Sequence, residues 1–126
     1  MAVGIRTRYK DGKSDKSTRF FSKRQEIAIA AATNGQRTPN SGATFNSKGD
    51  VLTDKFLLEA KTKTKPSDTI TIRKDWFTKN TEEAVFMGKP YSALVFNFGP
   101  DEENHYIIDE NLFQELLEYL KDKDER

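Results

Sequence analysis

The spacing of apolar residues divides the chain into helical and extended segments, separated by glycine, proline and clusters of polar residues. Apolar residues at helical spacing predict three helices, and short apolar runs bounded by turn residues predict four strands. The helices are predicted at about residues 23–33, 73–87 and 110–121, and the strands at about residues 50–53, 56–65, 91–98 and 105–108. This order of elements predicts an α/β domain with a central mixed β-sheet flanked by helices.

The start of the first helix also divides the chain into two regions. Ser22 and Gln25 form a capping-box pattern, which predicts that the helix begins at about residue 23. Asn34-Gly35 is a typical left-handed stop after its last turn. The residues before the helix are polar and mostly basic, without a clear period. We therefore expect residues 1–21 to form a flexible basic arm and residues 22–126 to form one folded domain.

The segment from residue 49 to 61 predicts a hairpin that brings two acids together. If Asp54-Lys55 forms the turn, Asp50 lies opposite Glu59; a four-residue loop gives the same register, and a three-residue loop does not. Opposed side chains have Cβ atoms roughly 5 Å apart, where like charges destabilise the pair. Lys61 lies two residues beyond Glu59 and therefore shares its face of the strand.

This arrangement predicts a site for Mg²⁺ or Mn²⁺, because both ions prefer oxygen ligands. Such an ion polarises a phosphate and lowers the pKa of a bound water, and the neighbouring ammonium of Lys61 would hold that water. The alternative is that Glu59 and Lys61 form an ordinary solvated strand face, which is common for a Glu-x-Lys sequence.

Charge and composition narrow the classes of function. The net charge is only +1, but residues 1–65 hold 14 basic and 6 acidic side chains, whereas residues 66–126 hold 7 and 14. Such asymmetry indicates a polyanionic partner for the basic half, although a solvated tail would give the same pattern. The absence of cysteine and the single histidine exclude disulfides and the usual zinc sites. No phosphate-binding loop, dinucleotide fingerprint, signal peptide or membrane-spanning run is present, so we expect a cytoplasmic protein without a membrane partner.

Asp50 followed by Glu59-Ala60-Lys61 resembles the signature of PD-(D/E)XK nucleases, with Gly49 in place of the proline. Within that superfamily, residues 22–120 most resemble archaeal-type Holliday junction resolvases and their phage relatives. The resemblance implies a restriction-endonuclease-like fold and a Mg²⁺- or Mn²⁺-dependent endonuclease that resolves four-way DNA junctions. It also implies a homodimer working in a bacterial, archaeal or phage-infected host cell.

The resemblance also implies roles for individual residues. Glu26, Asp50 and Glu59 would hold the metal together with the backbone carbonyl of Ala60, and Lys61 would position the attacking water. Ser41 would help to place the phosphate. Glu26 also fits a simple interaction with the helix dipole, and Ser41 also fits an ordinary turn.

Several basic and amide side chains are predicted to contact DNA, mainly through phosphates, which would make affinity depend on salt. They are Arg6, Arg8, Lys10, Arg24, Arg37, Asn40, Lys48, Lys63 and Lys65. Three alternatives remain open at this point: another nuclease of the superfamily, with a restriction or repair role, a catalytically silent DNA-binding protein, and an interaction protein without a nucleic-acid role.

The last predicted helix carries one apolar face, and its other face is acidic, so we expect the acidic face to point away from DNA. The apolar face consists of Phe113, Leu116, Leu117 and Leu120. Apolar side chains of this helix or of the late strands are the candidates for the dimer interface.

Overall fold

The computed structural model describes residues 13–38 and 50–125, with side chains from residue 18 onward in the first segment. In chain order the elements are α1 (Lys13–Thr33), β1 (Gln36–Arg37), β2 (Asp50–Leu52), β3 (Phe56–Lys61), α2 (Lys74–Phe86), β4 (Tyr91–Phe96), β5 (His105–Ile107) and α3 (Glu110–Asp124). Six predicted site residues lie outside the described residues: Arg6, Arg8, Lys10, Asn40, Ser41 and Lys48. Within the described segments, no helix has the length and apolar character needed to cross a membrane.

The five strands form one open sheet in the order β1-β2-β3-β4-β5. Neighbouring strands are antiparallel except β3 and β4, which run parallel and are connected through α2. A parallel pair needs a crossover connection, and α2 supplies it. The predicted α/β fold with a central mixed sheet and flanking helices is thus confirmed.

The two faces of the sheet differ in what they bury. Side chains alternate between faces along each strand, so Val51 and Leu58 point to the side on which Ile29 of α1 packs. Ile29 and Val51 have no exposed surface and Leu58 is 3% exposed, and burial of each such side chain contributes about 2 kcal/mol. Glu59 and Lys61 point to the opposite face, on the side of α2. The sheet therefore separates a mainly apolar layer under α1 from a layer under α2 that contains Glu59 and Lys61.

The predicted start of the first helix is wrong, because α1 begins at Lys13 and runs through the boundary expected near residue 22. Neither glycine nor proline interrupts the chain between residues 13 and 33, so nothing in the backbone stops the helix from extending. Ser22 is an interior residue whose hydroxyl donates to the carboxylate of Glu26 over 3.1 Å, and it does not cap the helix.

Two further strand predictions need correction. The segment Gln36–Arg37, which lies outside the predicted helices and strands, pairs with β2 as a short edge strand. The strand predicted to continue to Lys65 ends at Lys61, because Lys61 with Phe96 is the last pair between β3 and β4. Lys63 and Lys65 consequently follow the strand, and they do not continue the strand face that carries Lys61.

The remaining elements lie close to their predicted bounds. The helix predicted at residues 73–87 is α2, and the strands predicted at 91–98 and 105–108 are β4 and β5. The last helix begins at the predicted residue and extends three residues further, to Asp124. Gly88 and Pro90 after α2, and Gly99-Pro100 after β4, make the ends of these two elements readable from the sequence.

Candidate metal centre

The hairpin of β2 and β3 has the predicted register. Asp50 pairs with Glu59, Val51 with Leu58 and Leu52 with Leu57. Two hydrogen bonds between Thr53 and Phe56 close the turn. The backbone N–H of Thr53 donates to the carbonyl of Phe56 over 3.0 Å, and the hydroxyl of Thr53 accepts a hydrogen bond from the N–H of Phe56 over 2.9 Å. The turn therefore holds the two acids opposite each other on the face of the sheet covered by α2.

A third carboxylate joins this pair from the helix above. In the part of the chain that the structure describes, Asp50, Glu59 and Glu83 form a group whose ligand atoms all lie within 4.8 Å of one another. Glu83 belongs to α2, between the buried residues Asn80 and Ala84. Three elements thus direct carboxylate oxygens to one point, a donor set that suits a hard divalent cation.

Glu83 was not predicted from the sequence, although a signal for it exists. It lies three residues after Asn80 and directly before Ala84, so helical periodicity places it on the side of α2 that faces the sheet. An acid on the buried side of a crossover helix is unusual because burial of an unpaired charge is costly. Such an acid is a candidate to join an acid pair on the sheet that the helix covers.

The electrostatics of the group favour retention of a proton. Asp50 is 1% exposed, and burial, followed by the charges of Glu59, Glu83 and Glu26, raises its pKa to about 8. Burial and then the charge of Glu59 also raise the pKa of Glu83. Without a cation, one or more of the carboxyls is therefore protonated at neutral pH. A divalent cation can take the place of that proton.

Lys61 lies at the edge of the acidic group. Its Nζ is 2.7 Å from Oε2 of Glu59 and 4.0 Å from the centroid of the Trp76 ring, which holds the ammonium from the other side. The side chain of Lys61 is 28% exposed and that of Glu59 is 19% exposed. The contacts with Glu59 and Trp76 therefore orient the ammonium of Lys61, which remains accessible to a ligand. The predicted proximity of Lys61 to the acid pair is therefore observed.

Glu26 lies outside the three-carboxylate group, on the α1 side of the sheet. One carboxylate oxygen accepts a hydrogen bond from Nε of Arg37 over 3.1 Å, and the other accepts one from Ser22. Its charge still acts on Asp50, whose pKa it helps to raise. Its predicted role as a metal ligand stays a prediction, and the observed ion pair gives it a structural role.

The other predicted ligands and DNA contacts have varied surroundings. Ala60 packs its side chain against the core on the α1 side, and the role of its carbonyl as a metal ligand stays a prediction.

Arg24 pairs with Asp101 over 2.8 Å, with both side chains about half exposed. Lys63 lines a cavity of about 350 Å³ together with Lys61 and Trp76. The DNA contacts predicted for Arg24, Arg37, Lys63 and Lys65 also stay predictions.

No known protein family matches the sequence, and neither a curated protein nor a solved structure matches the chain. The chemistry of the site rests on its own residues: three converging carboxylates, one of them deeply buried, beside an oriented ammonium.

Proposed function

We propose that this chain is a metal-dependent DNA endonuclease of the PD-(D/E)XK type, acting on four-way junctions as a homodimer. The observation that carries the proposal is the convergence of Asp50, Glu59 and Lys61 on one face of a hairpin, beside Glu83. Opposed acids destabilise a hairpin, and a bound cation would offset that cost. The restriction-endonuclease-like fold is part of the same proposal, and the mixed sheet with flanking helices supports it.

The donor set fits Mg²⁺ or Mn²⁺, since it consists of carboxylate oxygens without nitrogen or sulfur. Asp50, Glu59 and Glu83 would hold the ion. When bound, it would supply positive charge next to a phosphate and lower the pKa of a bound water. Loading requires the proton on Asp50 to leave, because a protonated carboxyl is a poor ligand. Affinity for the ion should therefore increase as the pH rises toward about 8, the pKa of Asp50.

Lys61 would act on the water or the phosphate. Its ammonium is paired with Glu59 and lies over the ring of Trp76, and it would turn one of its N–H groups toward the reacting oxygen. A fixed donor of this kind places a reacting oxygen without a large loss of side-chain entropy. The side chain of Glu59 would then serve both the ion and the orientation of Lys61.

The choice of a four-way junction as substrate comes from the sequence resemblance. The basic character of residues 1–65 supports a nucleic-acid partner. A nuclease for duplex or flap DNA would use the same metal chemistry, and a silent DNA-binding protein would share the basic residues. Substrate and activity are therefore tested together.

The test is cleavage of a labelled four-way junction beside matched linear duplex and flap, with Mg²⁺ or Mn²⁺ and with a chelator. Asp50→Asn should abolish cleavage and retain DNA binding. Asp54→Asn is the matched control, because Asp54 lies in the turn of the same hairpin with its side chain 94% exposed. It should cleave like the wild type.

Each outcome of this assay has a defined meaning. Paired symmetric cuts in the junction alone support a resolvase. Cuts in duplex or flap keep the nuclease but reject the junction as its substrate. Binding without metal-dependent cleavage identifies a DNA-binding protein, and an absence of both rejects the proposal.

A further inference from the structure

Helix α3 presents an apolar face that residues 13–38 and 50–125 leave largely exposed. Phe113, Leu116, Leu117 and Leu120 are 49%, 41%, 50% and 44% exposed, and no residue of α3 is buried. A helix docked on a sheet normally buries its apolar stripe. The predicted apolar face is therefore present, but among the described residues it has no partner.

The side of α3 that touches the domain differs from this face. Glu115 accepts a hydrogen bond from the hydroxyl of Tyr91 over 2.8 Å, and half-buried Leu112 lines a small cavity near the end of α2. Successive residues of an α-helix lie about 100° apart around its axis. The four apolar side chains consequently occupy an arc of about 100° that points away from Glu115. The described part of the domain therefore contacts α3 on the side of Leu112 and Glu115, and the stripe formed by the four apolar side chains stays exposed to solvent.

The charges beside the stripe indicate what covers it. Glu110 and Lys121 are eleven residues apart, which is about three helical turns, so they border the same side of the stripe at opposite ends. In a two-fold antiparallel pair, each side of one helix meets the same side of the other in reverse order. Glu110 of each copy then lies beside Lys121 of the other copy.

A parallel pair has less favourable electrostatics, because it brings the two acidic first turns with Glu110 to one end and the two last turns with Lys121 and Lys123 to the other. Antiparallel helices also align their dipoles favourably. If the two-fold axis of the antiparallel pair passes between Leu116 and Leu117, Phe113 of one copy lies against Leu120 of the other. The charge pattern and the apolar pattern thus favour the same arrangement.

We propose that α3 is a self-association surface through which two copies of this chain pair antiparallel along the stripe formed by Phe113, Leu116, Leu117 and Leu120. A single helix pair buries less than the roughly 1,600 Å² of a typical stable interface. We therefore expect a reversible dimer with a dissociation constant of about micromolar order. The inference uses only α3 and does not depend on the nuclease proposal.

The test measures the molar mass of the full chain by sedimentation velocity across a wide range of concentration, without DNA and with a chelator. The wild type should shift from monomer to dimer as concentration increases. Leu117→Glu should raise the dissociation constant at least tenfold, because it introduces a charge into the apolar stripe and weakens the dimer. Asp122→Asn is the matched control, since Asp122 lies on the opposite side of α3, and it should leave the constant unchanged.

A charge exchange tests the orientation. Glu110→Lys and Lys121→Glu should each weaken the dimer at low salt, because each creates two like-charged pairs. The double variant should restore it, because each Lys then meets a Glu of the second copy. Circular dichroism and thermal unfolding verify that each variant keeps α3 folded.

A wild type that stays monomeric at every concentration would overturn the proposal, as would a Leu117→Glu dimer as strong as the wild type. Failure of the double variant to recover would reject the antiparallel arrangement. A shift of thermal unfolding by Mn²⁺ in Leu117→Glu would show that the metal site is intact. This separates a failure of self-association from a failure of the proposed metal function.

Discussion

Replacing Asp50 by asparagine should stabilise the metal-free protein while it removes the proposed activity. Asp50 is 1% exposed and lies beside Glu59 and Glu83. Its pKa is about 8, compared with 3.8 for an ordinary aspartate. The fold therefore holds this carboxyl in its neutral form. Asparagine has nearly the same shape, is never charged, and its amide can donate to the neighbouring carboxylates.

The sign and the magnitude follow from proton linkage. Between the two pKa values the unfolded chain releases a proton that the folded chain retains, so the free energy of unfolding decreases as the pH rises from about 4 to about 8. Each pH unit in this range lowers the stability by about 1.4 kcal/mol. At pH 7 the penalty relative to acidic solution is about 4 kcal/mol, and Asp50→Asn should recover much of it.

The measurement is urea unfolding of the wild type, Asp50→Asn and the control Asp54→Asn at several pH values between 5 and 8 with a chelator. The difference between Asp50→Asn and the wild type should increase with pH by about 1 kcal/mol per unit. Asp54→Asn should remain within about 0.5 kcal/mol of the wild type, because its side chain is exposed. Mg²⁺ or Mn²⁺ should stabilise the wild type more than Asp50→Asn.

Two results would refute this reasoning. If Asp50→Asn is less stable than the wild type above pH 7 without metal, the buried carboxyl contributes favourable interactions that outweigh its burial. If the difference between the two proteins does not depend on pH, Asp50 does not hold a proton in the folded state.

Glu83, Lys61 and Gly35 each give a further testable expectation. Glu83→Gln should lower the affinity for Mn²⁺ about tenfold or more, as measured by calorimetry; unchanged affinity would remove Glu83 from the ligand set. Lys61→Met should lower the rate of junction cleavage about 100-fold with metal affinity retained, and a normal rate would exclude a role in the reaction. Gly35→Ala should cost about 1–3 kcal/mol in urea unfolding, because its Cβ would lie 2.8 Å from the carbonyl oxygen of Leu52; stability equal to the wild type would contradict that close approach.

The acid pair was predictable because the length of a hairpin turn determines which residues of its two strands lie opposite each other. Alternation along a strand and a short turn leave few registers, so Asp50 opposite Glu59 followed from the sequence alone. The position of Lys61 followed from the same alternation. Two members of the three-carboxylate group were therefore predicted, together with the ammonium.

The third carboxylate depends on how α2 crosses the sheet, which local patterns do not specify. Helical periodicity assigns Glu83 to the inner side of α2, but only the packing of α2 against β3 and β4 brings it close to Asp50. The start of α1 was missed for a different reason: a Ser/Gln pattern inside a helix looks like a cap. The stripe on α3 was predicted, yet sequence periodicity cannot show whether the same chain covers it.

The short edges of the sheet limit how copies of this protein can associate. The edge strands β1 and β5 have two and three residues, whereas the central strands β3 and β4 have six each and the interior strand β2 has three. An edge strand offers unpaired N–H and C=O groups that can recruit another sheet, and a very short one offers few of them. Strand-by-strand aggregation is thus disfavoured, and contact between copies is left to side-chain surfaces, which can be changed one residue at a time without disturbing the sheet.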